Sequence, residues 1–261
     1  MVFDASKIVF EYGAETGIIK PPWSDEGFVT PDVEGSLTIQ SEIVRSGNKA
    51  VQFYLNPQGA PIDTRSQLSW WGLQHTGLND LYFSMWTYLP IDYKINTWDV
   101  MLDHHFMVPR EGGGAIGYDI RKASVGWFNN RPHLYVEWTD GEWRRLETPF
   151  PLGRWVHLQE HLNLHQTLGE RQIWIDNNLV YEEINANTAL TRQGEIATNI
   201  STAEFKLYVG AGETHAIYKY MDDFVVAIEK VPESYRVGTT QMPKLTVLSN
   251  PSGVPFNIRR L

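Results

Sequence analysis

The sequence predicts an all-β protein, an antiparallel β-sandwich or barrel. Two observations carry this. Apolar and polar residues alternate with a period of two along much of the chain, and no segment keeps apolar residues at i, i+3, i+4 and i+7 over three turns. Turn residues break the alternation at short spacing, which leaves no room for the helical crossovers of a parallel sheet. The composition suits such a core, with 10 Trp, 12 Tyr and 11 Phe beside 21 Gly and 14 Pro in 261 residues, and the same aromatic load suits a protein that handles sugars.

The elements follow in order. Residues 81–89 read as a strand stopped by Pro90, and residues 99–108 as another, ended by Pro109 and the Glu111-Gly112-Gly113-Gly114 loop. Residues 133–138 and 143–146 flank Thr139-Asp140-Gly141-Glu142, a hairpin signal built on Asp-Gly. Residues 155–164 alternate cleanly, Gly169 turns the chain into 171–175, and Asp176-Asn177-Asn178 turns it into 179–182. Residues 205–209 and 218–228 close the series.

Charge and composition exclude several functions. The chain has 22 basic and 31 acidic residues, a net charge of −9, which disfavours nucleic acid and anionic membrane as partners. Cysteine is absent, so disulfide scaffolds, thiolate metal sites and Cys nucleophiles are excluded. No apolar run of about 18 residues is present to insert in a bilayer. The opening Met1-Val2-Phe3-Asp4-Ala5 lacks the basic and apolar regions of a secretory signal. We read 1–230 as one main domain. Residues 231–261 differ: Lys230 and the tail after it hold five basic residues against Glu233 alone. Residues 231–242 read as a linker, and 245–256 as strand, Pro-Gly turn, strand, either the start of a further small β module or a terminal strand docked on the main domain.

Four patches resemble one family. Ile8-Val9-Phe10-Glu11-Tyr12-Gly13 is similar to the first strand, and Ser46-Gly47-Asn48-Lys49-Ala50-Val51 to the second strand, of concanavalin-A-like jelly rolls. Trp155 with residues 169–178, and Tyr220-Met221-Asp222-Asp223-Phe224-Val225, resemble their later hairpin and closing strand. Within that superfamily the chain looks most like polysaccharide lyases of the heparin-lyase-I and glucuronan-lyase type. The resemblance implies a jelly-roll sandwich acting on a polysaccharide or oligosaccharide. It does not choose among lyase, hydrolase and binding module.

Lyases of this type often carry R-x-E and Q-x-H strands on the concave sheet. This chain has Arg65-Ser66-Gln67 and Asp103-His104-His105, so Gln67 and Asp103 depart from the pattern. Alternation puts Arg65, Gln67, Ser69 and Trp71 on one face, and Asp103 with His105 on one face of another strand. The chemistry suits these types. Elimination on a uronate needs a cation for the carboxylate, a base for the adjacent carbon-bound proton and an acid for the leaving oxygen. Arg supplies a bidentate clamp, His a base that titrates near neutrality, and Tyr an acid. The candidates are therefore Arg65, His105 and one of Tyr208 and Tyr218 for catalysis, with Tyr118 and Tyr220 as substitutes. Gln67, Asp103, Trp71 and Lys206 would bind substrate. An acidic body must make its groove locally basic to hold a polyuronate, and Arg65, Lys206, Lys219 and Arg121 are the cations available. The alternative is a structural cluster of ion pairs.

His157, Gln159 and His161 share the polar face of residues 155–164 and are read either as sugar-reading groups or as a solvent-facing row on the convex sheet. Same-face neighbours stand about 7 Å apart, too far for two ligands each about 2 Å from one metal. Glu160 is the oddity on the apolar face: either it is a buried, partnered carboxylate or that face is incompletely covered. Glu11, Asn48 and one of Asp222 and Asp223 match the positions of a structural Ca2+ ion in related jelly rolls, and oxygen donors suit that ion. Trp23, Trp70, Trp71, Trp127, Trp138 and Trp143 fall near strand ends and are candidate stacking platforms.

The expectation is a polysaccharide lyase cleaving a uronic-acid-containing polymer by β-elimination, secreted or at the cell surface, a monomer or part of a larger modular chain. The alternatives are a non-catalytic carbohydrate-binding module and a glycoside hydrolase with an unrecognised carboxylate pair.

Overall fold

A computed structural model describes residues 3–17, 28–29, 34–70, 72–108, 116–137, 142–191 and 194–237. In chain order the strands are β1 (Ile8–Tyr12), β2 (Phe28–Val29), β3 (Glu34–Gln40), β4 (Ala50–Asn56), β5 (Thr64–Trp70), β6 (Asp80–Tyr88), β7 (Trp98–Val108) and β8 (Ile116–Phe128). They continue with β9 (Arg131–Glu137), β10 (Trp143–Pro149), β11 (Trp155–Asn163), β12 (Gly169–Ile175), β13 (Asn178–Ala186), β14 (Asn199–Val209) and β15 (Ile217–Ala227). One sheet runs β13-β12-β11-β6-β15-β4-β3, with β1 also paired to β15. The second runs β10-β9-β8-β7-β14-β5-β2. All pairings are antiparallel, and the two sheets form the jelly-roll sandwich that the sequence predicts.

Local chemistry sets the turns. Asp176 and Asn177 both take positive φ between β12 and β13, as do Asn129 and Asn130 between β8 and β9. Two such residues in the left-handed region make the tight turn whose twist matches a hairpin. The Asp140-Gly141 turn lies outside the described residues.

Alternation sets the faces. On β14, Ala203, Phe205, Leu207 and Val209 enter the core, which turns Glu204, Lys206 and Tyr208 outward. On β5, Leu68 and Trp70 enter the core, which turns Arg65, Gln67 and Ser69 to the same outer face. Aromatic pairs join the sheets: Phe10 of β1 stacks on Trp70 at 4.1 Å, and Phe205 of β14 meets Phe224 of β15 at 3.8 Å.

Two ionic ties also cross the core. Lys219 of β15 gives hydrogen bonds to both carboxylate oxygens of Asp99 on β7, at 2.9 and 2.8 Å, and the Tyr93 hydroxyl donates to Asp99 at 2.8 Å. Lys219 is therefore an internal residue and adds nothing to a surface basic patch. Glu160 of β11 answers the oddity in its pattern: it accepts from Arg171 at 2.6 Å and lies 3.1 Å from His104 of β7. Burial pushes the Glu160 carboxyl up, but Arg171 and His104 more than reverse this and hold it at about 2.

The stretch read as a linker is docked as far as residue 237. Val231 and Val237 pack with Ile8, Val225 and Ala227, and the Tyr235 ring meets Phe3 edge-on at 5.2 Å. Residues 238–261, with the expected strand-turn-strand, lie outside the described residues.

Breaking a buried pair strands a charge, at a cost of about 3–5 kcal/mol. Lys219→Met is expected to lower unfolding free energy by that order in urea titration. Adding Asp99→Asn is expected to recover most of the loss.

Candidate functional site

The outer face of the second sheet gathers charged and hydrogen-bonding side chains in register. Arg65 of β5 stands opposite Tyr208 of β14, Gln67 opposite Lys206, and Ser69 opposite Glu204. Across the other edge of β14, Glu204 stands opposite Asp103 of β7, and Thr202 opposite His105. Tyr208 and Thr202 are six residues apart on β14, roughly 20 Å of strand, and Lys206 and Glu204 stand between them.

Lys206 is the hinge of the row. Its ammonium pairs with Glu204 at 2.6 Å and with Asp103, and it lies 5.2 Å from the Tyr208 ring centre. Ser69 donates to Glu204 at 3.0 Å, and Gln67 donates to Ser69 at 3.0 Å. His105 Nε2 stands 3.6 Å from Glu204, at the far end. Burial pushes Glu204 up, but the His105 hydrogen bond and the Lys206 charge hold it below the ordinary carboxylate range. Burial also lowers Lys206, and the two carboxylates overcome this to raise it. The Tyr208 hydroxyl donates to Asp63 at 2.9 Å, and burial with that bond pushes it up to about 12.

Arg65, Gln67, Asp103, His105, Lys206 and Tyr208 thus share one face. Glu204 and Asp63 were not singled out from the sequence. The readable signal was Glu204-x-Lys206-x-Tyr208, three outward residues on one alternating strand. Trp71 lies outside the described residues, and the side chain of Arg121 is likewise undescribed.

Other candidates sit elsewhere. Tyr218 is on β15 of the first sheet, where it stacks on Tyr54 at 4.5 Å. It faces away from Arg65 and cannot join that row. His157, Gln159 and His161 also face outward from the first sheet, neither in the row nor open to solvent. His157 bonds Ser84 at 2.7 Å, His161 bonds Asp80 at 2.8 Å and stacks on Tyr82, and Gln159 donates to the Val231 carbonyl. Burial depresses His157 to about 4. The sequence shows a polar stripe; the docked segment after residue 229 and the neighbouring rings cover it.

Beside Tyr208 the row opens into an aromatic cavity of about 490 Å³. Trp98 and Val100 of β7, Ser124 and Trp127 of β8, Tyr135 of β9 and Trp143 of β10 line it. Trp127 and Trp143 were among the candidate platforms; Trp70 instead lies in the core, stacked on Phe10.

The calcium candidates are each held by other partners. Asp222 accepts the backbone N–H groups of Arg45 and Ser46 at 3.3 and 3.1 Å, and Glu11 accepts from the Tyr235 hydroxyl at 2.6 Å. Both are buried oxygen donors, the type a hard cation takes. Asn48 is exposed and gives its backbone N–H to Glu15, and among the described residues no hydrogen bond joins its side chain to the other two. Two of the three residues therefore suit the ion.

No family model matches the chain, and no curated protein matches it. Solved structures match by fold. An endo-beta-1,4-glucuronan lyase from the fungus Trichoderma reesei superposes with a TM-score of 0.56 at 14% identity, over 80% of this chain and 96% of that one. The cellulose-induced protein Cip1 gives 0.54 at 15%, over 85% and 98%. A carbohydrate esterase from the Shiga toxin-encoding bacteriophage phi24B gives 0.57 at 12%, over 85% and 99%. What is shared at these identities is the jelly-roll sandwich.

Burial and the neighbouring Asp223 charge push Asp222 up to about 7. In the unfolded chain it titrates near 4. Between the two values the folded chain holds a proton that the unfolded chain lacks, so stability from this group is full below about pH 4 and lost as pH rises through 7. The Tm advantage of the native chain over Asp222→Asn is expected to shrink from pH 5 to pH 8.

Proposed function

We propose that the chain is a polysaccharide lyase that cleaves a uronic-acid-containing polymer by β-elimination on the outer face of the second sheet. The single observation that carries this is the row running from Arg65 and Tyr208 through Lys206 and Glu204 to His105. Along one face of one sheet it offers a cation for the carboxylate, a base and a hydroxyl acid.

In this reading Arg65 forks onto the uronate carboxylate and stabilises the charge that develops when the neighbouring carbon loses its proton. His105 takes that proton. The carbon–hydrogen electron pair becomes the new double bond, and the glycosidic carbon–oxygen bond breaks. Tyr208 turns its hydroxyl from Asp63 to protonate the leaving oxygen. Its hydroxyl, which donates to Asp63, is protonated at neutral pH as a phenol ordinarily is. Glu204 and Lys206 position His105 and the floor of the row, and Gln67 and Asp103 extend it.

The fold neighbours support a carbohydrate-active reading at the level of the sandwich. A non-catalytic binding module has one observation in its favour: the row carries Asp63, Asp103 and Glu204 against Arg65 and Lys206, a balance that repels long runs of uronate.

A polymer substrate goes with secretion or display at the cell surface. The proposal includes a structural Ca2+ ion at the Glu11–Asp222 corner, which would take places now held by the Tyr235 hydroxyl and the loop amides. Added Ca2+ is then expected to raise Tm at pH 8 in the native chain and not in Asp222→Asn.

The test is ultraviolet absorbance of the new double bond on a panel of polyuronates and mixed polymers. His105→Ala and Tyr208→Phe are each expected to lower kcat by about 10²–10⁴ with circular dichroism unchanged. A flat trace from the folded native chain on every polymer would overturn the lyase.

A further inference from the structure

We infer that the cavity beside Tyr208 is a subsite for an uncharged sugar residue, so that the substrate is a heteropolysaccharide whose uronate has a neutral neighbour. This rests on the lyase reading for the uronate and on separate observations for the neighbour.

The lining sets the chemistry. Three indoles and a phenol ring surround the space, and among the described residues none that line it carries a charge. A uronate entering there would lose its hydration without gaining a cation, a cost that a neutral ring does not meet. The flat CH face of a sugar instead gains contact with the aromatic walls, in the pattern of a pocket that is mostly apolar with a few polar groups to orient the ligand.

Two polar atoms in the cavity wall have no hydrogen-bond partner among the described residues. Ser124 is only 2% exposed and lines the cavity, and its hydroxyl is one of them. The buried Trp127 indole N–H is the other. An unmade hydrogen bond on a buried group is unfavourable, and a sugar hydroxyl can both donate and accept. A purely apolar occupant would leave the Ser124 hydroxyl unsatisfied.

The backbone keeps the space open. A Cβ on Gly126 would come within 2.9 Å of the Tyr135 ring, so any side chain there would shift that ring or occupy the floor. The cavity is also joined to the row. Trp98 in its wall meets Tyr208 edge-on at 5.0 Å, so a ring in the cavity is the neighbour of a ring lying over Tyr208.

The test uses the whole chain and two readouts. Calorimetric titration with cellohexaose, xylohexaose and mannohexaose reads the subsite alone. Double-bond absorbance on glucuronan and on deacylated gellan, in which each glucuronate is flanked by neutral sugars, reads the reaction. Trp143 is 41% exposed, so Trp143→Ala can be made without emptying the core. At least one neutral hexasaccharide is expected to bind, and Trp143→Ala to weaken it about tenfold, the equivalent of one lost stacking contact. Ser124→Ala is expected to weaken it further, and both variants to lower kcat/KM on gellan more than on glucuronan. Elimination on glucuronan that ignores both variants, with no neutral hexasaccharide bound, would overturn the subsite and leave the lyase standing. Binding of a neutral hexasaccharide with no elimination on any polymer would support the subsite and remove the lyase.

Discussion

The two-residue period of β14 is the constraint on which the rest depends. The strand sits in the middle of the second sheet, between β7 and β5. Its even and odd residues face opposite ways, so the apolar set that anchors the core obliges Glu204, Lys206 and Tyr208 to share the other face, where the first two are buried among their partners and Tyr208 is half-buried. A slip of one residue would carry three polar side chains into the sandwich core and Phe205 and Leu207 out of it. Core stability and the geometry of the row are thus one requirement, and the hydrophobic burial that holds the register also aligns the chemistry.

The interior carries a second constraint. A sandwich of this aromatic content could close on apolar contacts alone, yet Asp99–Lys219 and Glu160–Arg171–His104 tie the sheets through buried charge. Each charge finds its partner on another strand, so these ties are sensitive to register and orientation where packed rings are not. His104 and His105 show the division on adjacent residues: one points into the core toward Glu160, the other out toward Glu204.

Much of the fold was legible because strand alternation is a local signal. The runs at 81–89, 99–108 and 155–164 lie within a residue or so of β6, β7 and β11, and the turn at Asp176-Asn177 lies where its residue types require. The site was legible in part. Arg65, Gln67, Asp103 and His105 could be placed on faces by alternation, because each strand is read by itself. Which strand neighbours which is a long-range fact, and it decided the rest. Tyr218 belongs to the other sheet. The histidines of β11 looked solvent-facing because nothing local announces that a segment more than sixty residues later covers them. Lys219 looked like a surface cation because its partner Asp99 is 120 residues away. Glu204 escaped notice because a single acidic residue between apolar ones gives no hint of the Lys206 and Ser69 that hold it.

The central claim is that saccharide lies on the outer face of the second sheet. A crystal structure of the chain bearing a short product oligosaccharide tests it most directly. The account predicts density along Arg65, Tyr208 and Lys206 with one ring against Trp98 and Trp143. Density on the opposite face, against Tyr218 and Tyr54 or over the covered histidines of β11, would contradict it.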